Sequence, residues 1–136
     1  SNTEVADILR DYRDYTMICA GVFDDMVATL VLENKEAILE RNREIVEENL
    51  SLMDEWIAKE PKASWIRPAS VSTSFVKLDV NRPIEDFALE LLRDYGVLVV
   101  PGNRFDKESH VRIGYCCDKD ILQKGLEKLS QFLNKC

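Results

Sequence analysis

The apolar residues change period at Pro61, and that change does most to limit the folds open to this chain. Before it, Ile38, Leu39, Ile45, Val46, Leu52, Met53, Trp56 and Ile57 recur at the spacing of one helix face. Asn34 is suited to cap a helix running from there to about Lys59, roughly 37 Å long at ~1.5 Å per residue. Upstream, Glu4 to about Tyr12 reads as a short amphipathic helix carrying Val5, Ile8 and Leu9 on one side. Phe23 to Leu32 is strongly apolar, as in a helix buried against something larger. Proline lacks the N–H that would continue the ladder, so the helical pattern stops at Pro61.

Beyond Pro61, Trp65-Ile66-Arg67 reads as a short extended piece before Pro68. Val71 to Val80 alternates loosely and is rich in Val, Thr and Phe, which predicts a strand. Pro83 stands where a first helical turn tolerates proline. Ile84, Phe87, Ala88, Leu91, Leu92 and Tyr95 then follow one helix face, and Gly96 closes it. Strands are expected near residues 97–100 and 110–116, separated by a polar loop from Asn103 to Ser109. Asp118 can cap a last helix with Leu122, Leu126, Leu129 and Leu133 on one stripe. This order predicts an α+β fold, a two-layer α/β sandwich. Long N-terminal helices lead into a small, mostly antiparallel sheet covered by helices on one face.

Composition narrows the class of protein. The chain has 136 residues, 46% hydrophobic and 32% charged, which suits a globular fold with one core. Its net charge of −7 disfavours nucleic acid and anionic membrane as partners. No apolar run approaches the ~20 residues of a membrane span, and no signal pattern opens the chain, so a cytoplasmic location is expected. Cys19, Cys116, Cys117 and Cys136 match no zinc or thioredoxin-like spacing and read as reduced thiols.

One residue points to a ligand. In a strand over 110–116, Val111, Ile113 and Tyr115 share one face, and Arg112 lies on the other with His110, Gly114 and Cys116. A guanidinium there needs an anion, and its planar fork matches a carboxylate. One of the 25 acidic side chains, or water, could serve it equally. His110 is the one histidine, so no His-dependent metal cluster or triad arises within the chain, and it reads as a surface residue. Ser74-Phe75-Val76-Lys77 matches S-x-x-K only formally, because that motif belongs at a helix start. The isolated Gly96 and Gly102 make no phosphate-cradling loop, and Glu44, Glu47 and Glu48 read as a solvated helix face.

Four stretches in this order resemble the C-terminal small domain of the fold-type I, pyridoxal-phosphate-dependent aminotransferases of class I/II. They are Arg13-Asp14-Tyr15-Thr16, the segment Asn34 to Arg43, Tyr95-Gly96-Val97-Leu98-Val99-Val100-Pro101-Gly102 followed by Phe105, and Val111-Arg112-Ile113 before a terminal helix. The resemblance runs from about Glu4 to Leu133. It implies that Arg112 binds the substrate α-carboxylate and that Tyr15 and Thr16 lie in a segment near the dimer interface and active site. It divides the chain into N-terminal helices over 1–33, an interface segment of the parent enzyme, and the small domain over 34–136. Amino acid and 2-oxo acid substrates, a large cofactor-binding domain of the same polypeptide and a homodimer are implied with it.

Two departures qualify the match. Pro68-Ala69-Ser70-Val71 stands where the family often has a glycine pair, which leaves the substrate open. None of the nine lysines has the serine- and glycine-flanked setting of the family's Schiff-base lysine, so the catalytic and cofactor-binding residues are expected upstream. The chain alone is therefore expected to bind no pyridoxal phosphate and to be inactive. Whether Ser1-Asn2 is native or an expression remnant stays open, as do a lyase or decarboxylase of the same fold and a non-enzymatic carboxylate-binding module.

Overall fold

The computed structural model describes residues 2–17, 19–69 and 71–136. The chain divides into two units, Ser1–Leu39 and Glu40–Cys136. The first holds helix α1 (Thr3–Thr16), helix α2 (Val22–Glu33) and the start of α3 (Lys35–Lys59). Asn2 caps α1, its Oδ1 accepting from the Val5 amide at 3.3 Å. Neither α1 nor α2 has a buried residue among those described, and the apolar Phe23, Met26 and Leu30 of α2 are exposed. Asn34 does not cap α3 with its side chain as expected. Its Nδ2 turns back and donates to the Leu30 carbonyl at 2.8 Å, so it closes α2 instead. A side-chain amide can serve either neighbour, and here it adds a second donor to the Leu30 carbonyl, which already accepts from Asn34 N at 3.2 Å.

The second unit contains the sheet and its core. Four strands, β1 (Ala63–Trp65), β2 (Thr73–Leu78), β3 (Val100–Pro101) and β4 (His110–Gly114), lie in the order β1-β2-β4-β3. All three pairings are antiparallel, so the expected sheet is present and wholly antiparallel. Helices α4 (Ile84–Glu90) and α5 (Lys119–Leu133), with the second half of α3, supply the other layer. Alternation decides what each strand buries. Val76, Leu78, Val111 and Ile113 pack into the core with Met53, Phe87, Leu91 and the stripe Leu122, Leu126, Leu129 and Leu133. Asp118 caps α5 as predicted, its Oδ1 accepting from Asp120 N at 2.9 Å.

The segment after α4 departs from expectation in two ways. The helix does not stay regular to Tyr95, because its last turn, Leu91–Tyr95, widens into a π-helix. Gly96, at φ 68°, then ends it, with Gly96 N donating to Leu92 O and Val97 N to Leu91 O. The strand expected at 97–100 is reduced to Val100–Pro101. The Val97 amide is engaged by the helix end, Pro101 has no N–H to give, and a cleft of about 320 Å³ opens between residues 97–99 and the end of β4. Leu98 is accordingly 76% exposed.

Two buried polar anchors hold the layers together. Asn49 of α3, 1% exposed, donates through Nδ2 to the carbonyls of Tyr115 and Cys117, each at 2.7 Å. It thereby secures the chain as it leaves β4. Glu60, also buried, accepts from Ser130 Oγ at 2.7 Å, and Ser130 accepts from Trp56 Nε1 at 2.8 Å. Replacing Asn49 with alanine strands two carbonyls beside the core. Asn49→Ala should cost about 2–4 kcal/mol in urea-denaturation stability, and a loss below about 0.5 kcal/mol would show that the anchor is dispensable.

Candidate functional site

The open face of the sheet carries the residues that can meet a ligand. Register sets them in rows: Lys77 beside His110, Phe75 beside Arg112, and Thr73 beside Gly114, with Val100 across Arg112 on its other side. The opposite face is committed to the core, so Arg112 is directed outward by the burial of Val111 and Ile113. Among the described residues, no carboxylate lies within ion-pair distance of Arg112, although Arg67, Arg82 and Arg104 are paired with Asp54, Glu90 and Glu85. The internal acidic partner that the sequence left open for Arg112 is therefore not found among these residues.

What Arg112 has instead is aromatic. Its Cζ lies 5.4 Å from the centre of the Phe105 ring. Phe75 meets Phe105 edge-on at 5.9 Å and stacks on His110 at 4.9 Å. Thr73, Ser74, Phe75, Phe105 and Arg112 line an open depression of about 280 Å³ whose walls are largely apolar. His110 is half-buried, with Nδ1 2.9 Å from the Glu108 carbonyl, so it is part of this aromatic cluster and not merely a surface residue. The arrangement offers a cationic fork in an apolar setting, suited to a small carboxylate.

The loop between β3 and β4 brings Phe105 there. The polar loop expected over 103–109 begins as a 3-10 turn, Gly102–Phe105. Gly102 is buried, and a Cβ on it would come 2.3 Å from Lys107 O and 2.6 Å from His110 O. Asp106 and Ser109 occupy the left-handed region at φ 55° and 61°. Glu85 on α4 clamps the turn, accepting from Asn103 Nδ2 at 2.8 Å and from Arg104 Nη2. These two donors hold the Glu85 carboxyl below its ordinary 4.5, the Asn103 hydrogen bond contributing most.

The remaining candidates fall elsewhere. Tyr15 and Thr16 end α1 in the first unit, Tyr15 92% exposed and Thr16 Oγ1 donating to the Arg13 carbonyl at 3.2 Å. Ser74 is buried while Lys77 is exposed on the open face, so the formal S-x-x-K pair does not form a unit. Ser70 lies outside the described residues. All four cysteines are free, and burial raises the Cys117 thiol above its ordinary value. No helix among the described residues is long and apolar enough to cross a membrane. Sequence reasoning missed Phe75 and Phe105 as walls of the site. An aromatic residue between Thr73 and Lys77 on the polar face of a strand was the available signal for Phe75, whereas Phe105 arrives through loop geometry.

No protein-family model matches the chain. Among curated proteins, it is 28% identical over 130 residues to capreomycidine synthase of Streptomyces vinaceus, which covers 95% of this chain and 33% of that protein. It is 27% identical over 141 residues to a probable N-acetyl-LL-diaminopimelate aminotransferase of Bacillus subtilis, covering 97% of this chain and 34% of that one. Among solved structures, a PLP-dependent aminotransferase from Streptococcus suis superposes with a TM-score of 0.90 at 63% identity, over 99% of this chain and 36% of that one. An aspartate aminotransferase from Thermotoga maritima shares the fold, with a TM-score of 0.81 over 98% of this chain and 34% of that one. The chain spans about a third of the length of the curated relatives it matches.

Gly102→Ala should destabilise the domain by about 1–3 kcal/mol, because both atoms in its way are backbone; thermal melting would measure it. The Glu85 clamp should also weaken in acid. A carboxyl depressed in the folded state stabilises it above the unfolded value of 4.5, and that contribution disappears as pH falls through the lower folded value. The Asn103 side-chain amide should therefore titrate with a midpoint below 4.5 in an NMR pH series. A midpoint at or above 4.5 would contradict the clamp.

Proposed function

We propose that this chain, which has the sequence and fold of the C-terminal small domain of a fold-type I, pyridoxal-phosphate-dependent aminotransferase, presents Arg112 to the α-carboxylate of an amino acid or 2-oxo acid. The parent enzyme would transfer the amino group between the two. One observation carries the reading: an arginine fork on the open sheet face, with no carboxylate partner among the described residues, set in an apolar depression. Apolar walls strengthen a charge-assisted bidentate pair by excluding water around it. Arginine suits this task better than lysine because its planar fork fixes the carboxylate in orientation as well as in place.

The residues of this chain do not fit the cofactor's anchoring site. An imine-forming lysine needs an amine that loses its proton readily, in a sheltered setting. Eight of the nine lysines are exposed, and the half-buried Lys62 donates to the Leu133 carbonyl at 2.7 Å. Lys119 and Lys135 are shifted upward, by Glu48 and by Tyr95 respectively, which is the wrong direction. Pyridoxal phosphate would therefore be held by parts of the parent outside these 136 residues, and the isolated chain would be inactive. Residues 1–33 would serve as an interface segment in a homodimeric parent and 34–136 as the small domain, a reading supported by the exposed apolar residues of α2.

A second reading concerns reaction type, since capreomycidine synthase is not named as an aminotransferase. A lyase or decarboxylase of this fold would use the same carboxylate fork. Product analysis of the full-length parent with an amino acid, with and without a 2-oxo acid acceptor, separates the two. A transferase forms the new amino acid only when the acceptor is present. In that assay Arg112→Lys should lower kcat/KM about tenfold or more, because the charge stays but the planar, bidentate fork is lost. Near-normal kcat/KM would remove Arg112 from the role. The 136-residue chain supplied with pyridoxal phosphate should give no product.

A further inference from the structure

The contacts around Arg112 raise the question of what holds a solvent-facing guanidinium ready for a ligand. Arginine has a long, flexible side chain, and on an open strand it would sample many rotamers. A carboxylate partner would orient it but would also occupy the fork. An aromatic face attracts the cation through its quadrupole and leaves the five N–H donors free. Phe105 is placed to do this, its ring centre 5.4 Å from Arg112 Cζ and its ring braced by the edge-on contact with Phe75 at 5.9 Å.

Three features of the loop keep that ring in place. Gly102 allows the turn to seat against the His110 and Lys107 carbonyls, and Lys107 N donates to Gly102 O at 3.0 Å. Asp106, directly after Phe105, takes the left-handed conformation that turns the chain back toward β4. Non-glycine residues adopt that region when the surroundings over-determine it. Glu85 grips Asn103 and Arg104, the residues preceding Phe105, through hydrogen bonds from Asn103 Nδ2 and Arg104 Nη2. The three constraints flank Phe105 on both sides.

We propose that Phe105 is the positioning residue of Arg112, orienting the guanidinium without occupying its fork, and that the Glu85 clamp on Asn103 and Arg104 sets Phe105 in turn. This deepens the assignment of Arg112 as the carboxylate-binding residue and rests on it. It requires no group from outside the second unit.

The test reads Arg112 directly. In the ¹⁵N-labelled 136-residue chain, the Arg112 Nε–Hε resonance should stand apart from those of exposed arginines through the ring current of Phe105. Phe105→Leu should return it to their position, Phe105→Tyr should retain the displacement, and Glu85→Ala should reduce it from a distance. The amide spectrum of β4 and α5 reports folding in each variant. In the full-length parent, Phe105→Leu should raise KM for the amino acid about two- to fivefold with kcat little changed, and Phe105→Tyr should restore it. An Arg112 resonance unmoved by Phe105→Leu overturns the proposal, and so does a moved resonance with unchanged KM. An unmoved resonance in Glu85→Ala overturns the clamp. If Arg112→Lys itself leaves KM unaltered, the carboxylate assignment falls, and with it the purpose of the platform.

Discussion

The burial of one face of the sheet governs this structure. Val76, Leu78, Val111 and Ile113 are almost wholly removed from water against α3, α4 and α5, and each fully buried aliphatic side chain of this size contributes about 1.5–3 kcal/mol. Strand alternation makes the consequence unavoidable. A shift of register by one residue would bring Arg112 into the core and expose the aliphatics, so the register is strongly determined. The functional face is thus produced by the hydrophobic face. Arg112 points outward because its neighbours on either side must point inward.

Polar anchors refine what burial begins. Apolar packing is non-directional and would tolerate small slides between layers, whereas hydrogen bonds fix distances. Asn49 holds the chain just beyond β4, and the Glu60–Ser130–Trp56 chain of hydrogen bonds ties the end of α3 to α5. On the open side, Glu85 does the same for the turn that carries Phe105. Each anchor joins residues distant in sequence, so the site inherits its precision from elements that do not touch it.

Much of this was legible in the chain itself, and the failures share a cause. The end of α3 at Lys59, the caps at Asp118 and Gly96, and the buried stripe Leu122, Leu126, Leu129 and Leu133 follow from short-range pattern and turn chemistry. Val97–Val99 has the composition of a strand, yet it leaves β4 because the preceding helix end engages the Val97 amide. Asn34 was suited to open one helix and closes the other, since both demands fall on one amide group. In sequence, His110 reads as a surface residue at the start of a strand and Phe105 as part of a loop. They gather beside Phe75 only when β2 and β4 pair.

Arg112 shows where the division lies. The sequence alone determined its strand, its face and its separation from the core, because alternation is a property of consecutive residues and does not depend on what packs nearby. The resemblance to the aminotransferases likewise rests on linear order. Only the tertiary structure decided that Arg112 would stand without a carboxylate partner among the described residues and over the ring of Phe105. That outcome depends on a loop folded back by the tight seat at Gly102, the left-handed turn at Asp106 and a carboxylate from a separate helix. Those contacts join residues that no local period relates, and they exist only once the layers have packed.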